Sequence, residues 1–250
     1  VDQICAAVKD LFEDTRAIAE PSGALAVAGM KNYIRDNKIS GKTLIAINCG
    51  ANVSFDRLRH ISERANYSEA REALFAVTIP EKKGSFLAFC KVLGKRSITE
   101  FNYRYSSPKE AHIFVGLGLT EGENERLKIQ RVFQQHGYET EDLTENDMAK
   151  LHIRHMVGGR LNSNEVERIY RFEFPERPGA LLNFLNRMGQ KWNISLFHYR
   201  NHGSAFGRVL CGFQIPQALF PTFNKFLKSQ GYEYSEETLN AAYNKFLHKI

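Results

Sequence analysis

Apolar and polar positions along this chain recur in two rhythms, and the switches between them mark out its elements. Ile4, Val8, Leu11 and Phe12 fall at helical spacing and predict a first helix. A second helix is expected after Pro21, where Ala24, Leu25, Ala28 and Gly29 form a small-residue face that permits close packing. Residues 36–41 have turn composition. Thr43-Leu44-Ile45-Ala46-Ile47 is then a continuous apolar run, the pattern of a parallel strand buried on both faces. It ends in the tight turn Asn48-Cys49-Gly50-Ala51-Asn52, and a helix is expected over residues 55–64. A helix–helix–strand–helix unit does not close a core by itself, so residues 1–65 read as the tail of a larger α/β domain.

Beyond residue 72 the rhythm changes. Strand patterns at 74–79, 98–105, 112–119 and 138–143 enclose a loop at 80–83, a helix opened by Gly84 and a second helix over 123–135. Their order is β-α-β-β-α-β, the ferredoxin-like arrangement. The same order then returns. Pro80-Glu81-Lys82-Lys83-Gly84-Ser85-Phe86-Leu87-Ala88-Phe89 reappears about 95 residues later as Pro175-Glu176-Arg177-Pro178-Gly179-Ala180-Leu181-Leu182-Asn183-Phe184. Phe101-Asn102-Tyr103-Arg104 reappears as Phe197-His198-Tyr199-Arg200. The second copy is expected as strands at 169–174, 194–200, 207–215 and 232–236, with helices at 179–189 and 220–229. The modules therefore span 72–145 and 166–240, joined by a linking helix at 146–158 and an exposed linker at 159–164, with a tail at 241–250.

Composition narrows the classes. Hydrophobic content of 43% and charged content of 25% are those of an ordinary globular protein, and 250 residues allow one to three domains. No apolar run approaches the roughly 18 residues of a transmembrane helix. The start Val1-Asp2-Gln3 shows neither an initiator Met nor a signal peptide, which predicts a chain cut from a longer protein. Cys5, Cys49, Cys90 and Cys211 are widely spaced, which suits a reducing, cytoplasmic setting and argues against a disulfide framework or zinc ribbon. The net charge of +6 is spread along the chain and reads as a solvated surface. His152 and His155 lack the companions of a four-ligand metal site, and Ser22, Ser54 and Ser62 have no partnered His and Asp. No catalytic constellation or metal site is expected, so duplicated binding modules become the leading idea.

The Pro-x-x-x-Gly-x-x-Leu turn within β-α-β-β-α-β resembles the ACT-like amino-acid-binding modules. The tandem pair resembles the regulatory half of the biosynthetic threonine dehydratases (threonine deaminases). Glu20-Pro21-Ser22-Gly23-Ala24 and Asn48-Cys49-Gly50-Ala51-Asn52-Val53 resemble the closing motifs of that family's pyridoxal-phosphate catalytic domain. The run from Lys150 to Arg160, Lys-Leu-His-Ile-Arg-His-Met-Val-Gly-Gly-Arg, resembles its linker. The fold class implied is the tail of a fold-type II α/β domain followed by two ferredoxin-like domains. The activity implied for the parent is an L-threonine ammonia-lyase of isoleucine biosynthesis, inhibited by isoleucine, relieved by valine and assembled as a homo-oligomer, a tetramer. Neither the Schiff-base lysine motif nor a glycine-rich phosphate cradle is present, so the chain alone is expected to be inactive and to retain no pyridoxal phosphate.

The resemblance assigns candidate residues, each with a plainer reading beside it. Gly84 and Gly179 would open helices whose N–H groups and dipole hold an amino acid's carboxylate, or would serve only a tight turn. Phe86 and Leu87, with Leu181 and Leu182 in the second copy, would offer an apolar slot for a branched side chain, and Ser85 and Ala180 are effector-binding candidates beside them. Asn102 is a candidate partner for the ligand's ammonium, and His198 is its counterpart. Tyr103 and Tyr199, flanked by Asn102 and His198, either face a ligand or the other module, or are packed in the core. The resemblance places Cys49 at the cofactor's pyridine nitrogen in the intact enzyme, flanked by Gly50 and Glu20, against the reading of a small buried residue at a strand end. RNA-recognition modules share the same element order, but residues 112–117 and 208–213 lack the base-stacking signature of their third strand.

Overall fold

The computed structural model describes residues 1–68, 71–156, 158–159, 161, 166–175, 179–188, 192–200 and 206–247. They fall into two compact units, residues 1–72 with 120–123, and residues 73–119 with 124–250.

In the first unit, helices α1 (Asp2–Thr15), α2 (Pro21–Asn37) and α3 (Phe55–Ser68) close on a core of small side chains. Cys5, Ala7 and Val8 meet Ala24, Ala28, Ile61 and Ala65 there, and the absence of bulky groups lets the helices approach closely. The apolar run at 43–47 corrects the strand expected from its composition. It forms no strand, and Ile45 and Ile47 are 89% and 77% exposed. A strand buried on both faces needs neighbours to take its N–H and C=O groups, and residues 1–68 contain none.

The second unit is built on one eight-stranded antiparallel sheet. Its first module runs β1 (Glu72–Pro80), α4 (Ser85–Leu93), β2 (Ile98–Arg104), β3 (Glu110–Gly118), α5 (Glu123–Gln135) and β4 (Glu139–Asp142). A short α6 (Asp147–Leu151) and a 3₁₀ turn (Ile153–His155) follow. The second module runs β5 (Glu167–Pro175), α7 (Ala180–Met188), β6 (Asn193–Arg200), β7 (Phe206–Gln214), α8 (Phe220–Ser229) and β8 (Glu233–Glu236). The strand order is β4-β1-β3-β2-β6-β7-β5-β8, two ferredoxin-like sheets merged edge to edge.

The join is made by the repeated motif itself. Strands β2 and β6 pair antiparallel with Phe101 opposite Tyr199, Asn102 opposite His198 and Tyr103 opposite Phe197. Equivalent residues thus face one another about a local two-fold centred on Asn102 and His198. Each of the two strands begins with a register shift at the matching position, between Ile98 and Glu100 and between Ile194 and Leu196. Helices α4, α5, α7 and α8 contribute to a single core over one sheet face, filled by Phe89, Phe101, Phe133, Phe184, Phe197 and Phe223. Phe86 of α4 touches both modules, its ring centroid 4.9 Å from that of Phe101 and 5.1 Å from that of Phe197.

The other face of the seam is polar and buried. Glu100 accepts from Arg154 at 2.8 Å, and Asn102 Nδ2 donates to the Arg154 carbonyl at 3.3 Å. Arg104 meets Glu167 of β5 at 2.5 and 3.2 Å, and it donates to the carbonyls of Gly159 and Leu247 at 2.8 and 3.0 Å. Tyr243 donates to the same carboxylate at 2.8 Å. This requirement cuts the linking helix short of the expected 146–158. Asn146 caps α6, accepting from the Ala149 N–H at 3.0 Å, but the chain leaves the helix at His152 and turns Arg154 inward. The expected linker at 159–164 lies mostly outside the described residues.

Arg104 and Glu167 are only 8% and 3% exposed, so removing one strands a buried charge. Glu167→Ala is expected to cost about 3–5 kcal/mol in denaturant unfolding. A loss below about 1 kcal/mol, the range of a surface pair, would contradict the buried arrangement.

Candidate effector site

The loop between β1 and α4 is shaped by Gly84, whose φ of 90° suits glycine and strains other residues. Gly84 caps α4 without any side-chain hydrogen bond to the first turn. The leading N–H groups of a helix have no partner within it, so this terminus attracts anions. Ser85, Phe86 and Leu87 follow, all buried.

Beneath the loop is a cavity of about 30 Å³. The first module contributes Ile79, Tyr103 and the loop residues from Pro80 to Leu87. The second closes it with Leu185 of α7, Trp192, and Asn193 and Ile194 at the start of β6. Glu81, Lys82, Lys83 and Asn193 also border an outer pocket of about 250 Å³, with Tyr105, Pro108 and Gln214. The inner cavity is walled by both modules, so a ligand in it would bear on the Gly84 loop and on the second module together.

Two polar groups stand out. The Glu81 carboxylate accepts from Tyr103 Oη at 2.7 Å. Burial pushes Glu81 above the usual carboxylate range, with the Tyr103 hydrogen bond opposing; burial and that same bond raise the Tyr103 phenol. Trp192 is 8% exposed, and its indole N–H has no hydrogen-bond partner among the described residues. Its ring stands edge-on to Phe223, 4.9 Å between centroids.

The structure therefore gathers Gly84, Ser85, Phe86, Leu87 and Tyr103 around one cavity and sets Asn102 apart. Asn102 lies on the opposite sheet face against Arg154, which corrects its reading as the ammonium partner. Neighbouring side chains on a strand alternate between faces, so Tyr103 and Asn102 cannot both reach one pocket. His198 pairs with Asn102 across the seam, and Tyr199 stacks on Phe174 in the core, 6.3 Å between centroids. Gly179 has a φ of 82°, and a side chain there would meet Lys95 Cγ at 3.5 Å. Ala180 opens α7 and Leu181 is buried, while residues 176–178 of that loop lie outside the described residues.

In the first unit, Glu20, Cys49 and Gly50 come together. Glu20 N donates to the Gly50 carbonyl at 3.0 Å, Asn52 N donates to the Glu20 carboxylate at 3.1 Å, and Ser22 bonds the same carboxylate. Gly50 has a φ of 85°, which favours glycine in that turn, and a Cβ there would lie 2.6 Å from the Glu20 side chain. Cys49 is exposed.

Two ferredoxin-like modules sharing one sheet, with a glycine-opened helix over a cavity at their seam, define a tandem ACT-like regulatory pair. Residues 63–153 and 158–247 match the family described as the C-terminal regulatory domain of threonine dehydratase, and the chain belongs to that family. It is 56% identical over 246 residues to the L-threonine dehydratase biosynthetic IlvA of Escherichia coli (strain K12), covering 98% of this chain and 48% of that protein. The protein of the same name from Burkholderia multivorans is 53% identical over the same shares. The mitochondrial threonine dehydratase of Saccharomyces cerevisiae is 45% identical over 98% of this chain and 45% of its own length. The chain thus spans about half the length of these relatives. Among the described residues no helix is long and apolar enough to cross a membrane.

Glu81 and the second module's wall, Leu185 and Trp192 to Ile194, are the site residues that sequence reasoning missed. A signal existed, since Glu81 recurs as Glu176 in the repeat. Glu81 shares its cavity wall with Lys82, Lys83 and Tyr103, and the folded state holds its proton to higher pH than the unfolded chain does. The ionised carboxylate therefore costs stability once the pH passes its unfolded value. Glu81→Gln is expected to unfold at higher denaturant than the parent chain near about pH 7, with the gap closing below about pH 4. A gap that does not change with pH would contradict this environment for Glu81.

Proposed function

We propose that this chain is the effector-sensing part of an L-threonine ammonia-lyase of isoleucine biosynthesis, and that isoleucine and valine are its effectors. The observation that carries the reading is the cavity at the Gly84 loop, whose floor belongs to one module and whose closing wall belongs to the other. An amino acid there would place its carboxylate at the uncapped start of α4 and its side chain among Ile79, Phe86, Leu87, Leu185 and Ile194. Because the wall is shared, filling the cavity favours one arrangement of the modules over another, which is what an effector needs in order to inhibit. Asn102 and Arg154 then act on the far face as a link from the seam towards the linking segment. The Gly179 loop is the second site of the pair, and two unequal sites account for opposed isoleucine and valine effects.

The parent enzyme we propose is a cytoplasmic homo-oligomer, a tetramer, that uses pyridoxal phosphate. When bound, that cofactor supplies the electron sink for eliminating the substrate's β-hydroxyl. Glu20, Cys49 and Gly50 are the residues of this chain that would help to hold it, since the Glu20–Gly50 hydrogen bond ties down the turn that carries the exposed Cys49. Cys49 is the residue that would meet the ring nitrogen, as a neutral partner. The chain has no Schiff-base lysine motif or phosphate cradle beside it, so by itself it releases no ammonia from threonine.

Calorimetric titration of the chain with isoleucine, valine and threonine tests this reading. Isoleucine is expected to bind with micromolar to millimolar affinity, about −4 to −8 kcal/mol. Gly84→Val or Gly179→Val should weaken it by forcing a branched side chain into a positive-φ position. Unchanged isotherms in both variants, or ammonia release from threonine by the chain alone, would count against the proposal.

A further inference from the structure

A ligand with two opposite charges needs two opposite partners, and the helix start at Gly84 supplies only one. The remaining polar groups of the cavity have distinct positions. Glu81 borders both the inner cavity and the outer pocket. Its side-chain partner is the Tyr103 hydroxyl, and neither Lys82 nor Lys83, although adjacent in sequence and lining the same walls, forms an ion pair with it. Among the described residues no cation pairs with this partly buried carboxylate, and a charge held there without a partner is costly to maintain.

We propose that Glu81 is the counter-charge for the α-ammonium of the bound effector, held in place by Tyr103, and that it restricts the site to free α-amino acids. This rests on the reading of the Gly84 cavity as the effector site and adds the group that selects for the ammonium. The two ends of the ligand are then matched separately, the carboxylate by the start of α4 and the ammonium by Glu81. The side chain between them enters the inner cavity, walled by Phe86, Leu87 and Leu185. Tyr103 acts as a positioning residue, because its hydroxyl fixes one oxygen of Glu81 and leaves the other for the ligand.

The test is calorimetric titration of the whole chain and of Glu81→Gln with isoleucine and with 3-methylpentanoate, which keeps the carboxylate and side chain but lacks the ammonium. Wild-type chain is expected to bind isoleucine at least about tenfold more tightly than 3-methylpentanoate. Glu81→Gln should lose about tenfold or more for isoleucine and should bind 3-methylpentanoate as well as wild type or better. Wild-type chain that binds both compounds equally, a requirement that involves no variant, would overturn the assignment. So would Glu81→Gln binding isoleucine normally, which leaves the effector site standing but removes Glu81 from it. Equal losses for both compounds would also overturn it, by showing general damage to the cavity. If wild-type chain binds no isoleucine at all, the effector reading itself fails, and this proposal with it.

Discussion

A ferredoxin-like sheet ends in the edge strand β2, which presents a row of unpaired backbone N–H and C=O groups, and this edge governs the molecule. Two such edges, β2 and β6, are covered here by each other. Because they carry the same motif and pair antiparallel, the join is self-complementary in the manner of a two-fold interface, although the two halves lie in one chain. The pairing buries Glu100, Asn102 and Ser195, which an exposed edge would have left in water. Burial of that kind demands partners. Arg154 from the linking segment and Arg104 with Glu167 supply them, so the linker and the last turn at Tyr243–Leu247 are drawn onto the seam. Covering the edge also sets α4 beside α7 and brings β6 under the Gly84 loop, which is how one module comes to close the other's cavity.

Such a site suits regulation. The cavity's walls come from different modules. A ligand in it would press on Phe86 and Leu87 of one module and on Leu185 of the other. Phe86 packs on Phe101 and Phe197 at the seam, so displacement at the ligand is felt where the modules meet. Strand β2 carries the consequence to the other face. Tyr103 points to the cavity and bonds Glu81, while its neighbours Asn102 and Arg104 point away and bond the linking segment.

Much of this fold was legible in the sequence, because the period-2 and period-3.6 patterns are strong and are stated twice. The repeat located both modules, both glycine-opened helices and the paired motif from Phe101 to Arg104 and Phe197 to Arg200. Which edges meet was not legible, since a strand pattern carries no record of its neighbour. For that reason Asn102 was read as a ligand contact: a polar residue in a strand next to the loop is ambiguous until the sheet's faces are assigned. Trp192 and Leu185 were missed because they approach the site from the other module, about a hundred residues away in sequence. The run at 43–47 failed for a related reason. Its composition records a fully buried strand, and residues 1–68 contain no strand to bury it against.

The central claim is that the effector cavity belongs to both modules at once, through the β2–β6 join. Amide hydrogen exchange of the chain with and without saturating isoleucine reads this directly, residue by residue. The account predicts slower exchange on ligand addition in two stretches distant in sequence, the loop and helix start from Glu81 to Leu87 and the wall from Trp192 to Ile194, together with the seam strands between them. Slowing confined to one module, with the other unchanged, would contradict it.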